Sequence, residues 1–282
     1  MILIADSGST KTDWRLVSND RKITQLRTDG LSPYHLSKEE IAAIINDEFK
    51  ENKNTPEVKE IFFYGTGCSN EEKRGVVSEA LQHTFAKATI HVDHDLIAAA
   101  RALCGKEPGI AAILGTGSNS CLYNGEKIVA HVPSLGYLLG DEGSGVDIGR
   151  RFLKYLLYDE LPPDLKNIVL EKHKITIEEV LENIYRKPQA NKYISSFSTI
   201  VHKNIIHPFL IKLVYSCFED FFNHHICKYD GHKKLPLHAV GSIAYFYSDI
   251  LKAVAADKGI AVGRILQTPI AGLTLYHVGD LT

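Results

Sequence analysis

The chain lacks paired cysteines. Its five, Cys68, Cys104, Cys121, Cys217 and Cys227, are scattered, odd in number and contain no CxxC spacing, which excludes a disulfide framework and fits free thiols in a reducing compartment. It also lacks an apolar run near the roughly 18 residues that would span a bilayer. The opening Met1-Ile2-Leu3-Ile4-Ala5-Asp6 reaches an acid before a signal-peptide core can form, so a cytoplasmic protein with no membrane partner is expected. There is no basic excess: 32 Lys and Arg against 34 Asp and Glu leave a net charge of -2, which argues against a nucleic-acid partner. None of the 13 histidines forms an HExxH motif, and His224-His225 point to two sides of a predicted helix and read as structural or solvent-facing. No GxxxxGK[ST] exists, so a Walker A loop is excluded. No low-complexity stretch or linker interrupts the chain.

What is there is an ordinary globular composition, 44% hydrophobic and 23% charged over 282 residues, long enough for two domains with buried cores. A strand over residues 2–5 runs into Asp6-Ser7-Gly8-Ser9-Thr10-Lys11-Thr12 and then into strands over 13–17 and near 23–25. A helix follows over 37–50, with Ser37 as N-cap and Glu40 completing a capping box. A strand over 61–64 ends in Gly65-Thr66-Gly67, and the order continues as a helix (71–86), a strand (89–92) and a helix from near Asp95 to Gly105. The pattern then restarts: a strand over 110–114, the small-residue loop Gly115-Thr116-Gly117-Ser118-Asn119, a strand over 120–123, an Asn124-Gly125 hairpin signal and a strand over 127–131. This reads as a degenerate internal duplication. The second copy carries a helical insertion, about 145–230, with a long amphipathic helix near 204–228. A strand (235–240), a glycine turn, a helix (245–256), a strand (259–266) and a terminal helix close the chain. The expected organisation is an N-terminal α/β domain over 1–106, completed by the helix of 268–282, and a second over 107–267, with a charged phosphate ligand held where the two glycine hairpins face each other.

The segment from Asp6 to Thr12 supplies consecutive amides, hydroxyls and one ammonium in a tight turn. Ser7, Gly8, Ser9, Thr10, Lys11 and Thr12 can cradle phosphate oxygens, and Asp6 at the strand end can hold a hydrated Mg2+. An ordinary hairpin with a polar turn would read the same way. Gly115, Thr116, Gly117 and Ser118 repeat the chemistry at the equivalent place in the second copy. Asp95 opens a helix, where it either caps backbone amides or, ionised, accepts the proton of an attacking hydroxyl; Asp93 competes for that role and spacing does not separate them. Gly140-Asp141-Glu142-Gly143-Ser144-Gly145 sets two acids between glycines, which suits a hydroxyl-rich substrate or a flexible acidic loop. Gly241 and Ser242, between strand and helix, can let an adenine ring lie against the backbone.

Together these segments resemble the BadF/BadG/BcrA/BcrD-type ATPases and the N-acetylglucosamine kinases, within the superfamily of sugar kinases, actin and heat-shock chaperones. The resemblance covers essentially the whole chain, and its most specific piece is the run from Gly136 to Gly145 with Ile148-Gly149. Asp6 to Thr12 matches the first phosphate motif, Gly115 to Asn119 the second, and Ala239-Val240-Gly241-Ser242-Ile243-Ala244 the adenosine motif. The resemblance implies two actin-like (ribonuclease H-like) domains around a nucleotide cleft, ATP and Mg2+ as cofactors, and a homodimer. It implies Asp95 as catalytic base, with the sugar held by Gly117, Ser118, Asn119 and Asp141 and covered by Gly30-Leu31-Ser32-Pro33-Tyr34 through Ser32 and Tyr34. The activity implied is phosphorylation of an amino sugar, N-acetylglucosamine to its 6-phosphate. Tyr34 and Leu135 stand where the animal enzymes carry an asparagine and a tryptophan, which leaves glucosamine and N-acetylmuramic acid open as substrates. The same family includes activators of acyl-CoA dehydratases or reductases, which hold an iron–sulfur cluster by cysteine thiolates; no closely spaced cysteines offer that here. A nucleotide or sugar sensor without turnover is the third reading.

Overall fold

The structure, a computed structural model, describes residues 1–8, 10–52 and 54–279. The chain divides into two compact units, Met1–Lys106 together with the segment from Thr268 onward, and Glu107–Gln267.

In the first unit, strand alternation decides what each residue faces. The strands β1 (Ile2–Ser7), β2 (Lys11–Val17), β3 (Ile23–Asp29), β4 (Glu60–Gly65) and β5 (Thr89–His94) form one sheet in the order β3-β2-β1-β4-β5. The first three are antiparallel and the last two run parallel to β1. Leu3, Ala5, Trp14, Ile61 and Phe63 share a core with residues of α1 (Lys38–Phe49) and α2 (Glu71–Thr84). The predicted capping box at the start of α1 is present, Ser37 Oγ accepting from Glu40 N–H and Glu40 from Ser37 N–H. Residues at the other parity, Ile2, Ile4 and Asp6, point to the opposite face. There α3 (Asp95–Cys104) and α12 (Ile270–Gly279) pack on the sheet and on each other.

The second unit repeats the arrangement. Its strands β6 (Pro108–Leu114), β7 (Ser118–Asn124), β8 (Ile128–His131), β9 (Leu237–Val240) and β10 (Val262–Leu266) lie in the order β10-β9-β6-β7-β8. Numbered within each unit, both sheets read 3-2-1-4-5, with an antiparallel hairpin pair and two parallel strands. The duplication read from two glycine loops is therefore a duplication of topology, and two such α/β sheets are the actin-like class that the resemblance implies.

Between β8 and β9 lie α4 (Gly136–Leu139), α5 (Gly145–Leu157), α6 (Pro163–Lys172), α7 (Ile177–Tyr185), α8 (Ala190–Lys203) and α9 (Pro208–His224). Two sequence expectations change here. The amphipathic helix expected over 204–228 is α9, which starts only at Pro208, because residues 204–207 form a turn and proline fits the first helical position, where its missing N–H costs nothing. The helix expected over 245–256 is two, α10 (Ser242–Phe246) and α11 (Ser248–Asp257), broken at the buried Tyr247, whose hydroxyl bonds the Ser198 carbonyl at 2.6 Å. The helices α5 and α8 touch at their backbones: a methyl group on Gly149 would collide with the Ile194 carbonyl.

Candidate active site

In an open sheet, the parallel strands deliver their carboxyl ends, and the loops after them, to one edge. In the first unit that edge carries Asp6, Gly65-Thr66 and Asp93-His94-Asp95. Register places Asp13, Asp6, Tyr64 and Asp93 in one row across β2, β1, β4 and β5, so their side chains share the face of α3 and α12. Asp6 is half-buried, and burial, then the charges of Asp13 and Asp95, push its carboxyl up to about 7.

The hairpin turn after Asp6 is less open than the sequence suggests. Gly8 N–H donates to Lys11 C=O at 3.0 Å. Ser7 and Thr12 are buried and turned inward: Thr12 Oγ1 donates to Ser7 Oγ (2.8 Å), which accepts Leu31 N–H (3.0 Å) and so pins the Gly30–Tyr34 segment. Both hydroxyl oxygens are thus engaged within the fold, Thr12 Oγ1 also lying 3.0 Å from the Asp29 carbonyl. Lys11 Nζ lies 3.0 Å from Asp13, which Arg27 also holds at 2.9 Å. Burial alone would raise the Asp13 carboxyl, but those two cations bring it below its ordinary value. Thr10 is exposed, and Ser9 lies outside the described residues.

Asp95 is the first residue of α3 but not its cap. His94 takes the cap position, its Nδ1 accepting Ile97 N–H at 3.3 Å, which leaves the Asp95 carboxylate available. Thr66 Oγ1 donates to Asp95 Oδ2 at 2.9 Å and orients it, while the Thr66 N–H is anchored on Ser7 C=O at 2.8 Å. Burial raises the Asp95 carboxyl above the usual range, against the lowering effects of Thr66, His94 and the first-turn amides. Asp93, the competing candidate, turns Oδ1 back onto His94 N–H at 2.9 Å. Ser32 is buried in the segment pinned by Ser7. Tyr34 is 60% exposed, with its hydroxyl 2.8 Å from Ser69 Oγ and Lys73 over its ring.

In the second unit the loop Gly115–Asn119 is docked on the start of α5: Gly145 N–H donates to Gly115 C=O (2.8 Å) and Val146 N–H to Thr116 C=O (3.1 Å). Thr116 is exposed. The Asp141 carboxylate lies on Gly117, where a Cβ would sit 2.8 Å from Oδ2, and it accepts from Ser118 N–H and Ser134 Oγ, both at 3.2 Å. Burial raises its carboxyl. The Asn119 Oδ1 accepts Ser120 N–H (2.9 Å) and lies 2.9 Å from His131 Nε2, while the Ser118 hydroxyl is buried without a partner among the described residues. Thus Gly117, Ser118, Asn119 and Asp141 form one cluster. Gly241 sits edge-on against the Leu114 carbonyl, too close for any side chain, immediately before the Gly115 loop. Ser242 opens α10 and is exposed.

Several neighbours of the candidate residues escaped the sequence reading. Thr66, Ser134 and His131 orient Asp95, Asp141 and Asn119 in turn, and Glu142 Oε2 is held by the buried His225 Nε2 at 3.1 Å. The loop Gly140–Gly145 is further fixed by the fully buried Asp147, which accepts Gly143 N–H at 3.1 Å and is charge-paired with Arg150 and Arg151. The flexible-loop alternative for this segment is thereby replaced by a rigid one. The arrangement offers one oriented, partly dehydrated carboxylate beside a second in the first unit, and a cluster of hydroxyl-directed acceptors and amides in the second.

Known proteins resemble this chain over most of its length. Residues 5–205 match the model of the BadF/BadG/BcrA/BcrD ATPase family. An N-acetylmuramic acid/N-acetylglucosamine kinase of Clostridium acetobutylicum is 28% identical over 212 residues, 71% of this chain and 69% of that protein. An N-acetyl-D-glucosamine kinase of Dictyostelium discoideum is 29% identical over 196 residues, 62% of this chain, which spans only 61% of that relative's length. The crystal structure of a candidate N-acetylglucosamine kinase from Porphyromonas gingivalis superposes with a TM-score of 0.94 over all of both chains, at 38% identity.

Proposed function

Since the chain belongs to the BadF/BadG/BcrA/BcrD ATPase family, we propose that it is an ATP-dependent kinase of amino sugars, transferring the γ-phosphoryl group of ATP to the 6-hydroxyl of N-acetylglucosamine. The names of its relatives support the substrate class. The observation that carries the chemistry is Asp95: a carboxylate relieved of capping by His94, oriented by Thr66 and made more basic by burial. A base whose affinity for the proton approaches the working pH is the better catalyst.

In this reading the sugar O6 attacks the γ-phosphorus as the bond to the β-phosphate oxygen breaks. ADP leaves and the hydroxyl proton passes to Asp95. With the Gly8 and Gly115 amides used inside their own turns, phosphate oxygens are received by the amides of Thr10, Thr116 and Gly117 and by Lys11, with adenine near Gly241 and Ser242. Asp141, Asn119 and Ser118 accept and donate to sugar hydroxyls.

The donor set fits Mg2+. No group of three or more metal-ligating side chains is present among the described residues, and Mg2+ in phosphoryl-transfer sites binds through one or two carboxylates plus phosphate and water. Asp6, whose ionised form is disfavoured by burial and by two neighbouring acids, would hold the ion, which when bound offsets phosphate charge. For the activator reading the thiols are unfavourable: four of the five cysteines are buried, and burial pushes Cys68 up to about 12.

The test is ADP release from ATP–Mg2+ against glucosamine, N-acetylglucosamine, N-acetylmannosamine, N-acetylmuramic acid and glucose, for the native chain and for Asp95→Asn. Strong stimulation by N-acetylglucosamine is expected, with turnover of the variant lower by about 10²–10⁴-fold and sugar binding, measured by calorimetry, retained. Comparable turnover in the variant would remove Asp95 from the mechanism. Slow hydrolysis unresponsive to every sugar would overturn the kinase.

A further inference from the structure

The helix that begins with Asp95 also carries Arg101, on the face of the sheet shared with α12. Beside it opens a pocket of about 570 Å³ lined by Phe62 and Tyr64 of β4, His91 and Asp93 of β5, Arg101 of α3, and Tyr276 and His277 of α12. None of the residues assigned above to ATP or sugar lines it.

Its cation is unusually placed. The Arg101 guanidinium lies over two rings, 5.7 Å from the centroid of Tyr64 and 5.6 Å from that of Tyr276. Nη1 donates to Tyr64 OH at 2.7 Å, and that hydroxyl lies 2.8 Å from His277 Nε2. Among the described residues the buried Nε has no acceptor, and no carboxylate lies within ion-pair distance of the group. The acids at the pocket make their short contacts elsewhere, Glu60 with His91 at 3.1 Å and Asp93 with the His94 amide at 2.9 Å, while the Asp93 charge reaches the guanidinium only from a distance. A buried donor left unmatched is costly, and a half-buried guanidinium favours an anion with planar, paired oxygens.

The remaining wall is flat. Phe62 stacks on His277 (centroids 3.8 Å apart, 19° between planes) and on His91 (5.0 Å, 10°), so three rings form one column. Rings in this arrangement accept the face of another flat group.

We propose that this pocket is a second ligand site, taking a small molecule that carries a carboxylate or phosphate for Arg101 on a flat body for the Phe62–His91–His277 column. Its volume lies in the range of small-molecule sites. The site belongs to the first unit and does not depend on the proposed kinase activity.

The experiment titrates the full chain, without ATP or sugar, with inorganic phosphate and separately with benzoate, following the ring resonances of His91 and His277 by NMR. These two side chains distinguish the pocket from any phosphate bound at the glycine turns. Saturable shifts of both rings are expected, tighter for benzoate than for phosphate. Arg101→Gln should weaken them at least tenfold, and Arg101→Lys, which keeps the charge without the fork, should fall between. Tyr276→Leu, which removes one side of the clamp, replaces Arg101→Gln under the same criterion should that variant not fold. The proposal fails if neither probe shifts the two rings saturably, or if loss of the guanidinium or its clamp leaves the affinity unchanged. Phosphate binding tighter than benzoate would retain the anion site and overturn the flat-body requirement.

Discussion

Asp6 and Asp95 sit close enough for each charge to oppose the other, and the consequence can be read without substrate. The Asp6 proton is held more tightly in the folded chain, about 7 against 3.8. This group therefore contributes its full stability below 3.8 and loses it as the pH rises toward about 7. In the absence of Mg2+, thermal stability should fall across that window. The Asp6→Asn variant should flatten the fall and be more stable than the native chain at neutral pH by up to about 4 kcal/mol. A melting temperature that rises steadily across the same window would contradict the assignment. For catalysis the sign follows Asp95: kcat/KM should drop on the acid side at a pH above the ordinary carboxylate range, because burial raises that carboxyl. Thr66→Val removes the hydroxyl that orients Asp95 and lowers its pKa. The acid limb should move further up in pH with a loss of turnover smaller than in Asp95→Asn, both read from a pH–rate profile. At this scale the sequence offered the acids and the glycines by their type. It could not offer Thr66, Ser134 or His131, because their roles are contacts across 29, 7 and 12 residues of chain. Nor did it show that the Ser7 and Thr12 hydroxyls turn inward, since nothing local says so of a hydroxyl in a polar turn.

Elements reveal how differently two local signals are weighted. The capping box of α1 was legible because all its parts lie within four consecutive residues, and Ser37→Ala should lower stability by about 1 kcal/mol. Gly149 reads in sequence as a weak point in a helix, where alanine should help. In the fold it is the position at which α5 meets the α8 backbone, so Gly149→Ala should destabilise by about 3 kcal/mol or more, the two helices having to separate. Denaturant midpoints of the two variants, measured together, check both signs, and a stabilised Gly149→Ala would refute the close contact. The bounds of α9 and the break between α10 and α11 show the same division. Proline at position 208 was visible, but the buried hydroxyl bond of Tyr247 that accompanies the second break joins residues 49 apart.

At the scale of the whole molecule, the two units differ in how they are closed. The second is one continuous stretch with its own core, from Ile110 and Leu114 through Phe218 and Phe222 to Leu251. A chain of residues 107–267 should fold alone with a cooperative melt. The first unit is completed from the far end of the chain: α12 buries Ile270, Leu273 and His277 against it. Deleting the segment from Thr268 onward uncovers side chains worth about 1.5–3 kcal/mol each, a sum comparable with the stability of a domain. That deletion should leave the first unit's signals collapsed in an amide NMR spectrum while the second unit's persist. Equal loss in both units would refute the division. By itself the sequence determined the α/β class, the repeat of strand, glycine loop and strand, and the residue types at the carboxyl ends of β1 and β6, because periodicity and turn chemistry act over a few residues. Only the tertiary structure decided which of those groups are free to act, which are consumed by the fold, and that Arg101, Tyr64 and His277 meet at one pocket. Burial and hydrogen-bond partnership are properties of segments far apart in the chain, and no local pattern encodes them.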